Sequence, residues 1–395
     1  MKLKSIFFVV LFLCVSNIIS DPLLVVVLMV KNEALVIKET LQPFVDGGVT
    51  DFVIFDTGST DGTQKVAQEF FMQHDIANAH VVEEPFIDFS ASRNHALEAA
   101  QSIFPQATFM LMPDAEWYMH GVEQLLKFCG EHVYDYHDSY LLSIRSTTLA
   151  FYVSRLIRCH KDIHFVGAVH ECLNKATIAT LPSETYFEWR PSQKGQDKSA
   201  LRWKRDLGLL LKSYEQNPFD PRTLFYLAQT YECLSDLENA YIFYTKRIAI
   251  PGWDEENFMA QLRLGNIVEQ IDAKNGNTSL FPDCVKEYLH AFVMRPQRAE
   301  PLIKIAQYFL DHNQMQLAFL FARRAAEIPY PVTDILFVEK YLYDFTRYDI
   351  LGRCAWYVGE YELGEWAMRK ALEVNPESEH LQRNLKFYTD RKASI

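Results

Sequence analysis

Residues 23–30, LLVVVLMV, form an unbroken apolar run that stops at KNE, Lys31 to Glu33. A run without alternation predicts a strand buried on both faces, as at the centre of a parallel sheet. A helix is expected over 34–45, with Leu35, Leu41 and Phe44 on its apolar side. A second strand, DFVIFDT, ends at Asp56, and TGSTDGT follows over 57–63. Gly58, Ser59, Asp61 and Gly62 suit a tight turn whose backbone and hydroxyls face a ligand. A helix then runs through Phe71. AHVVEEPF reads as a third strand, and DFSASRNHALEAA as a helix capped by Asp88 or Ser90. ATFMLMPDAE is the fourth strand. This alternation predicts a mostly parallel sheet with helices on both faces. Ligands bind beyond the carboxyl ends of such strands, where Lys31, Asn32, Asp56 and Asp114 fall.

From about residue 197 the pattern changes to helical periodicity with internal self-similarity. The stretches 224–251, 302–329 and 349–376 align on small residues and a closing proline. Ala228 matches Ala306, Ala240 matches Ala318, and Pro251, Pro329 and Pro376 end the three copies. A fourth copy, Phe258 to Pro296, fits with an insertion. Residues 200–218 read as an unpaired leading helix. The pattern resembles tetratricopeptide repeats, which stack helix pairs around a continuous core and leave a concave face.

Composition narrows the picture. The chain of 395 residues is 49% apolar, enough for two or three domains with full cores. A formal net charge of −12 argues against a sequence-independent grip on nucleic acid, which needs a basic face. The first 20 residues place two lysines before an apolar core, the layout of a secretory signal peptide, with an uncleaved signal anchor as the alternative. The expected location is the secretory lumen or outside the cell. Of seven cysteines, Cys14 lies in that leader. The other six show no CxxC spacing and demand neither zinc nor disulfides. The sequon at Asn277 sits in a polar stretch suited to a glycosylated loop.

The chemistry gathers in MLMPDAEWY, where an apolar run ends in Asp114 with Glu116 two residues on. Two close carboxylates repel, and a divalent cation is a common remedy. The dinucleotide fingerprint GxGxxG is absent, which argues against a nicotinamide enzyme.

Taken in order, MVKNE, DFVIFDTGSTDGT, DFSASRNHALEAA, MLMPDAEWY and SRLIRCHKDIHFVGAVHE resemble family 2 glycosyltransferases of the GT-A fold, over roughly residues 23–190. The resemblance implies the following roles. Asp56 contacts the nucleotide base or ribose beside the turn of Gly58, Ser59 and Asp61. Lys31, Asn32 and Glu33 line the same pocket. Arg93 and Asn94 face the donor's base and diphosphate. Asp114 and Glu116 hold Mn2+ or Mg2+ as a variant of the DxD motif, with His170 as a third ligand or an acceptor-positioning group. Glu171 is the candidate general base, with Glu188 in reserve, and Arg155 and Arg158 are candidate sources of positive charge near the diphosphate.

The expected organisation is a leader (1–20), a GT-A transferase domain (21–195) and helical repeats (196–395). The expected activity is inverting, metal-dependent sugar transfer from a nucleotide donor to a glycan, protein or lipid. The repeats are expected to recruit the acceptor or a partner, or to self-associate. The alternative is a non-catalytic repeat scaffold with a degenerate transferase domain.

Overall fold

The computed structural model describes residues 21–146, 150–190, 199–276 and 282–393. The expected leader (1–20), the expected boundary at 195/196 and the sequon at Asn277 lie outside these residues.

The first apolar run is β1 (Leu24–Val30), and it lies inside a nine-stranded sheet. β2 (Asp51–Asp56) and β3 (Asn78–Glu83) add parallel on one side of it, and β4 (Phe109–Leu111) adds parallel on the other. Beyond β4 the sheet turns mixed. β7 (Ala150–Arg158) runs antiparallel to both β4 and β6 (Ser139–Arg145). β11 (Tyr186–Trp189) pairs with β6 and with β5 (Trp117–His120), and β10 (Ile178–Thr180) also joins β6. A separate two-stranded ribbon joins β8 (Phe165–Val166) to β9 (Cys172–Leu173).

Successive side chains of a strand point to opposite faces. Val26, Leu28, Phe52 and Ile54 therefore pack on one face with residues of α1 (Ile37–Asp46), α2 (Thr63–Gln73) and α4 (Val122–Glu131). Val25, Val27, Val53 and Phe55 pack on the other face against Ala96 and Ala100 of α3 (Phe89–Ile103). Asp88 caps α3 by accepting from the Ala91 amide at 2.8 Å. The expected helix over 34–45 starts three residues late, and Leu35 is 74% exposed. The cause is local: the amides of Asn32, Glu33 and Ala34 are bound by side chains of residues 59–63 and do not enter the helix. Ile37, Leu41 and Phe44 form the buried side.

The helical half contains four helix pairs. They are α6 (Pro221–Cys233) with α7 (Leu237–Ile248), α8 (Asp254–Asn275) with α9 (Asp283–Met294), α10 (Glu300–Asp311) with α11 (Met315–Glu327), and α12 (Arg347–Ala355) with α13 (Tyr361–Val374). α5 (Ser199–Gln216) leads the array and α14 (Glu379–Ala393) closes it. This is the arrangement of tetratricopeptide-like repeats. Ala228, Ala240, Ala306 and Ala318 are fully buried, as the small-residue frame requires. In the copy from Phe258 to Pro296 the first helix, α8, is the long one, at 22 residues.

The segment between α11 and α12 reaches back to the sheet. Val338 bridges Ala150, and the Phe337 ring lies 6.3 Å from Phe151. Buried charge anchors this segment. Glu255 accepts from the amides of Ile335 and Leu336, both at 2.8 Å, and Arg298 links Glu300 to Asp334.

Tyr388 of α14 lies across Gly364, where an added methyl group would overlap its ring, and donates a 2.6 Å bond to the Gly352 carbonyl. We predict that Gly364→Ala displaces this ring and destabilises the protein by about 1–3 kcal/mol, the usual cost of overpacking. Chemical denaturation measures it, and an unchanged midpoint would show that this last interface tolerates the extra volume.

Candidate functional site

The register of the sheet aligns the ends of three strands. Val30 pairs with Asp56, and Asp56 pairs with Glu83. On the other side of β1, Leu111 pairs with Val26, so Asp114 comes level with the end of β1. The chain moves outward from β1 to β3 and then crosses to β4. The crevice at that reversal is the place where open α/β sheets bind ligands.

A cleft of about 530 Å³ opens there, lined by Lys31, Asp56, Thr57, Gly58, Glu83, Glu84, Pro85 and Phe86. Asp56 is fully buried and splits its carboxylate between two tasks. Oδ1 accepts from the amides of Gly58 at 2.8 Å and Ser59 at 2.6 Å. Oδ2 is buried without a hydrogen-bond partner. An unmatched buried acceptor is costly, and a ligand donor would relieve that cost.

The expected pocket residues divide into lining and framework. Lys31, Asp56 and Gly58 line the cleft. Asn32, Ser59 and Asp61 stitch its two loops together. The Asn32 amide donates to Ser59 Oγ, and the Thr60 amide donates to Asn32 Oδ1, both at 2.8 Å. Asp61 accepts from the Ala34 amide at 3.2 Å and the Thr63 amide at 3.1 Å. The Glu33 amide donates to Thr63 Oγ1 at 2.8 Å. Glu83, Glu84 and Phe86 are lining residues that the sequence reading did not name. The polar end of AHVVEEPF, aligned with Asp56, was their signal.

Beside the cleft lies a cluster of four charges. Arg93, from the first turns of α3, donates to Asp114 Oδ1 through Nη2 and to Glu171 Oε1 through Nε at 2.5 Å. Arg155, from β7, lies 2.9 Å from Glu171 and 3.5 Å from Asp114. Phe165 lies beneath both guanidinium groups, 5.9 and 5.5 Å from its ring centre. β7 brings Arg155 here because it runs antiparallel to β4 and its Arg155 carbonyl accepts from the Met112 amide. Burial alone would lower the pKa of Arg93, but Asp114 and Glu171 outweigh it and raise the value. Burial would push the Glu171 carboxyl up, yet Arg93 and Arg155 bring it down to about 2.

The expected general base, Glu171, lies inside this charge cluster. Its side chain is only 6% exposed and is held by two arginines. A carboxylate so stabilised is a weak proton acceptor. Asn94 is also reassigned. It does not face the cleft: it clamps Phe165, donating to its carbonyl at 2.9 Å and accepting from its amide at 2.8 Å. Arg158 belongs to a different place, bound to the carbonyls of His132, Val133 and His137. Glu188 is engaged by Arg190 and His120, and those hydrogen bonds bring it to about 2.

His170 is exposed at the surface, with Tyr226, Glu171, Arg222 and Arg202 around it. Desolvation lowers its pKa to about 4; Glu171 opposes the shift, and Arg222 and Arg202 add to it. The imidazole is therefore neutral at ordinary pH. Its ring stacks on Tyr226 at 3.9 Å with 12° between planes.

The expected metal ligands do not converge as a ready cage. Among the described residues no three His, Cys, Asp or Glu side chains come together in a way that would hold an ion. The donor set still suits a hard cation in kind, with two carboxylates at one strand end. Glu116 adopts a left-handed backbone (φ 68°) in a turn closed by the Trp117 amide on the Asp114 carbonyl at 3.2 Å. An ion at Asp114 would compete with Arg93 and Arg155.

Residues 25–158 match the family model of Glycosyl transferase family 2. The match takes in β1 to β7, the cleft, Arg93, Asp114 and Arg155, and ends before His170 and Glu171. The α/β half is therefore similar to glycosyl transferase family 2 over these residues, and its mixed sheet is consistent with the GT-A fold. No curated protein matches the chain. Solved structures are similar to part of the chain at low identity and with TM-scores under 0.5. One is MamA, at 15% identity, covering 52% of this chain and 98% of that one, with a TM-score of 0.33. Another is YrrB, a TPR protein with an unusual peptide-binding site, at 16% identity, covering 47% and 84%, with a TM-score of 0.36. A third is the C-terminal part of a TPR repeat-containing protein from Cytophaga hutchinsonii, at 17% identity, covering 45% and 62%, with a TM-score of 0.34. The six cysteines of the described residues are free, and no helix among those residues is long and apolar enough to cross a membrane.

Removing one member of a buried ion pair strands its partner, typically at about 3–5 kcal/mol. Glu171→Gln should therefore destabilise the protein by that order at pH 7. The sign with pH follows from linkage. The native pKa of about 2 lies below the ordinary 4.5, so the stabilisation is full above 4.5 and is lost as pH falls through 2. The gap between wild type and variant should narrow from pH 4.5 downward in denaturant titrations. A gap below about 1 kcal/mol at pH 7 would remove Glu171 from the charge cluster's stabilising role.

Proposed function

We propose that the protein is a glycosyltransferase that moves a sugar from a nucleoside diphosphate donor to an acceptor hydroxyl by a single, inverting displacement. The observation that carries this reading is the unpaired buried oxygen of Asp56 in the cleft at the sheet's switch point. An N–H or hydroxyl of a nucleoside is the kind of donor it lacks. The family 2 match supports the same reading from the sequence.

In the proposed step the acceptor oxygen attacks the anomeric carbon. The bond from that carbon to the diphosphate oxygen breaks, and the nucleoside diphosphate leaves with the electron pair. His170 takes the acceptor's proton, because its imidazole is exposed beside the Arg93–Glu171 cluster and is not tied up in an ion pair there. Glu171 holds Arg93 and Arg155 in place, and their charge faces the departing diphosphate. Mn2+ or Mg2+ held by Asp114 and Glu116 would supply Lewis-acid charge at the diphosphate. The helical half is proposed to receive the acceptor or a partner protein on its surface. Work in the secretory lumen, where the leader would send the chain, remains part of the proposal.

A second reading draws on the charge cluster. Asp114 and Glu171 are already neutralised by arginines, so a domain that binds a nucleotide without turning it over would look the same.

The readings part in one set of measurements. Nucleotide-sugars are screened by calorimetry with and without Mn2+, and transfer is followed to a panel of acceptors. Asp56→Asn should weaken donor binding roughly ten- to a hundredfold, the scale of a hydrogen bond to a charged group. His170→Ala should keep donor affinity and lower turnover by about a hundredfold or more. Asp114→Asn should raise the Mn2+ concentration needed for half activity. Donor binding without turnover in the wild type would favour the scaffold; no binding of any nucleotide-sugar would overturn both readings.

A further inference from the structure

The segment that carries His170 belongs to both halves of the molecule. Phe165 lies in the core of the transferase domain, whereas Val169, four residues on, lies in the core of the helical half. Glu171 returns to the transferase side through Arg93 and Arg155. Between them His170 adopts a left-handed backbone with φ 53°. A non-glycine residue in that region carries strain of about 1–3 kcal/mol and persists only where its surroundings hold it.

The residue that holds it comes from α6. Arg222 donates to the His170 carbonyl through Nε at 3.0 Å and Nη2 at 2.7 Å. Its guanidinium lies 5.0 Å from the ring centre of Tyr226, which in turn stacks on the His170 imidazole. Glu256 of α8 sits 3.7 Å from Arg222 and binds the buried Arg247 at 2.8 Å. The neighbouring loop is tied in as well. The Phe89 amide donates to the Ala168 carbonyl at 3.1 Å, and Arg205 of α5 lies 5.6 Å from the ring centre of the cleft-lining Phe86 and 5.2 Å from that of Phe89. The helical half thus grips both loops at the mouth of the site.

We propose that Arg222 is a positioning residue for the transfer reaction, fixing His170 through its carbonyl, so that the repeat half completes the catalytic site. This rests on the glycosyltransferase reading and on the role given to His170. The fork of Arg222 is the feature that matters, since two donors converging on one carbonyl oxygen hold its position from two directions. Lysine supplies a point charge and one bond at a time.

The test uses the full chain with Arg222→Ala and Arg222→Lys. Donor affinity is measured by calorimetry, transfer by steady-state kinetics, and backbone protection over 165–172 by hydrogen exchange. Arg222→Ala should speed exchange in that segment and leave donor affinity within about threefold. It should lower kcat roughly ten- to a hundredfold, the scale of a misplaced reacting group. Arg222→Lys should recover part of kcat. Exchange and kcat both equal to wild type would overturn the proposal. So would a parallel loss of donor affinity, kcat and melting midpoint with lysine no better than alanine, since that marks general damage. If the wild type transfers no sugar, the activity reading falls by itself, and exchange over 165–172 alone decides whether Arg222 sets this segment.

Discussion

Two arginines and two carboxylates, gathered where the strands end, are the constraint around which this domain is arranged. Arg93 arrives on α3, Asp114 follows β4, Arg155 comes from β7, and Glu171 follows the ribbon strand β8. The four charges cancel. No single one can leave without stranding another in a poorly solvated place, which fixes a helix, two strands and a loop relative to one another. The cluster is not fully satisfied: Arg93 Nη1 and Arg155 Nε are buried donors without partners. In the proposed reaction, a diphosphate beside it would meet positive charge that is already oriented, at the expense of loosening a carboxylate.

The α/β half was legible in the sequence where a single strand carries its own signal. The run 24–30 has six of seven residues buried and needs no partner to be recognised as a central strand. Asp56 was legible for the same reason, as the polar residue that ends another fully buried run. Glu171 and Asn94 were not. Their roles depend on which distant segment lies opposite, and register between β4 and an antiparallel β7 leaves no local trace. Leu35 misled because helical periodicity extends back over residues whose amides are claimed by Ser59, Thr63 and Asp61. The repeats were legible because close helix packing demands small side chains at fixed places. What joins them to the first half was hidden, since Arg222 and Tyr226 look like ordinary helix residues until His170 is set against them.

The helical half is attached through unlike contacts. Near the site the attachment is polar and aromatic, through Arg222, Tyr226 and Arg205. Farther along, the segment after α11 meets β7 through Val338 and Phe337. The charged residues that anchor this segment are buried deeply, with Glu300 and Asp334 sharing Arg298. The two halves are thus joined at separate places, one beside the cleft and one on β7.

Val169 and Glu171 are two residues apart, yet each is buried in a different half of the molecule. A chain synthesised from its amino end folds its leading domain first. That domain can assemble its sheet and its cleft while Val169 still lacks the apolar surroundings that α5, α6 and the helices after them provide. The left-handed turn at His170 then has no reason to persist. The site becomes whole only after more than fifty further residues, through Arg222 and Tyr226, have been made and packed. Maturation is in this way written into chain order, and a truncated product would keep the residues of the cleft without the contacts that hold His170.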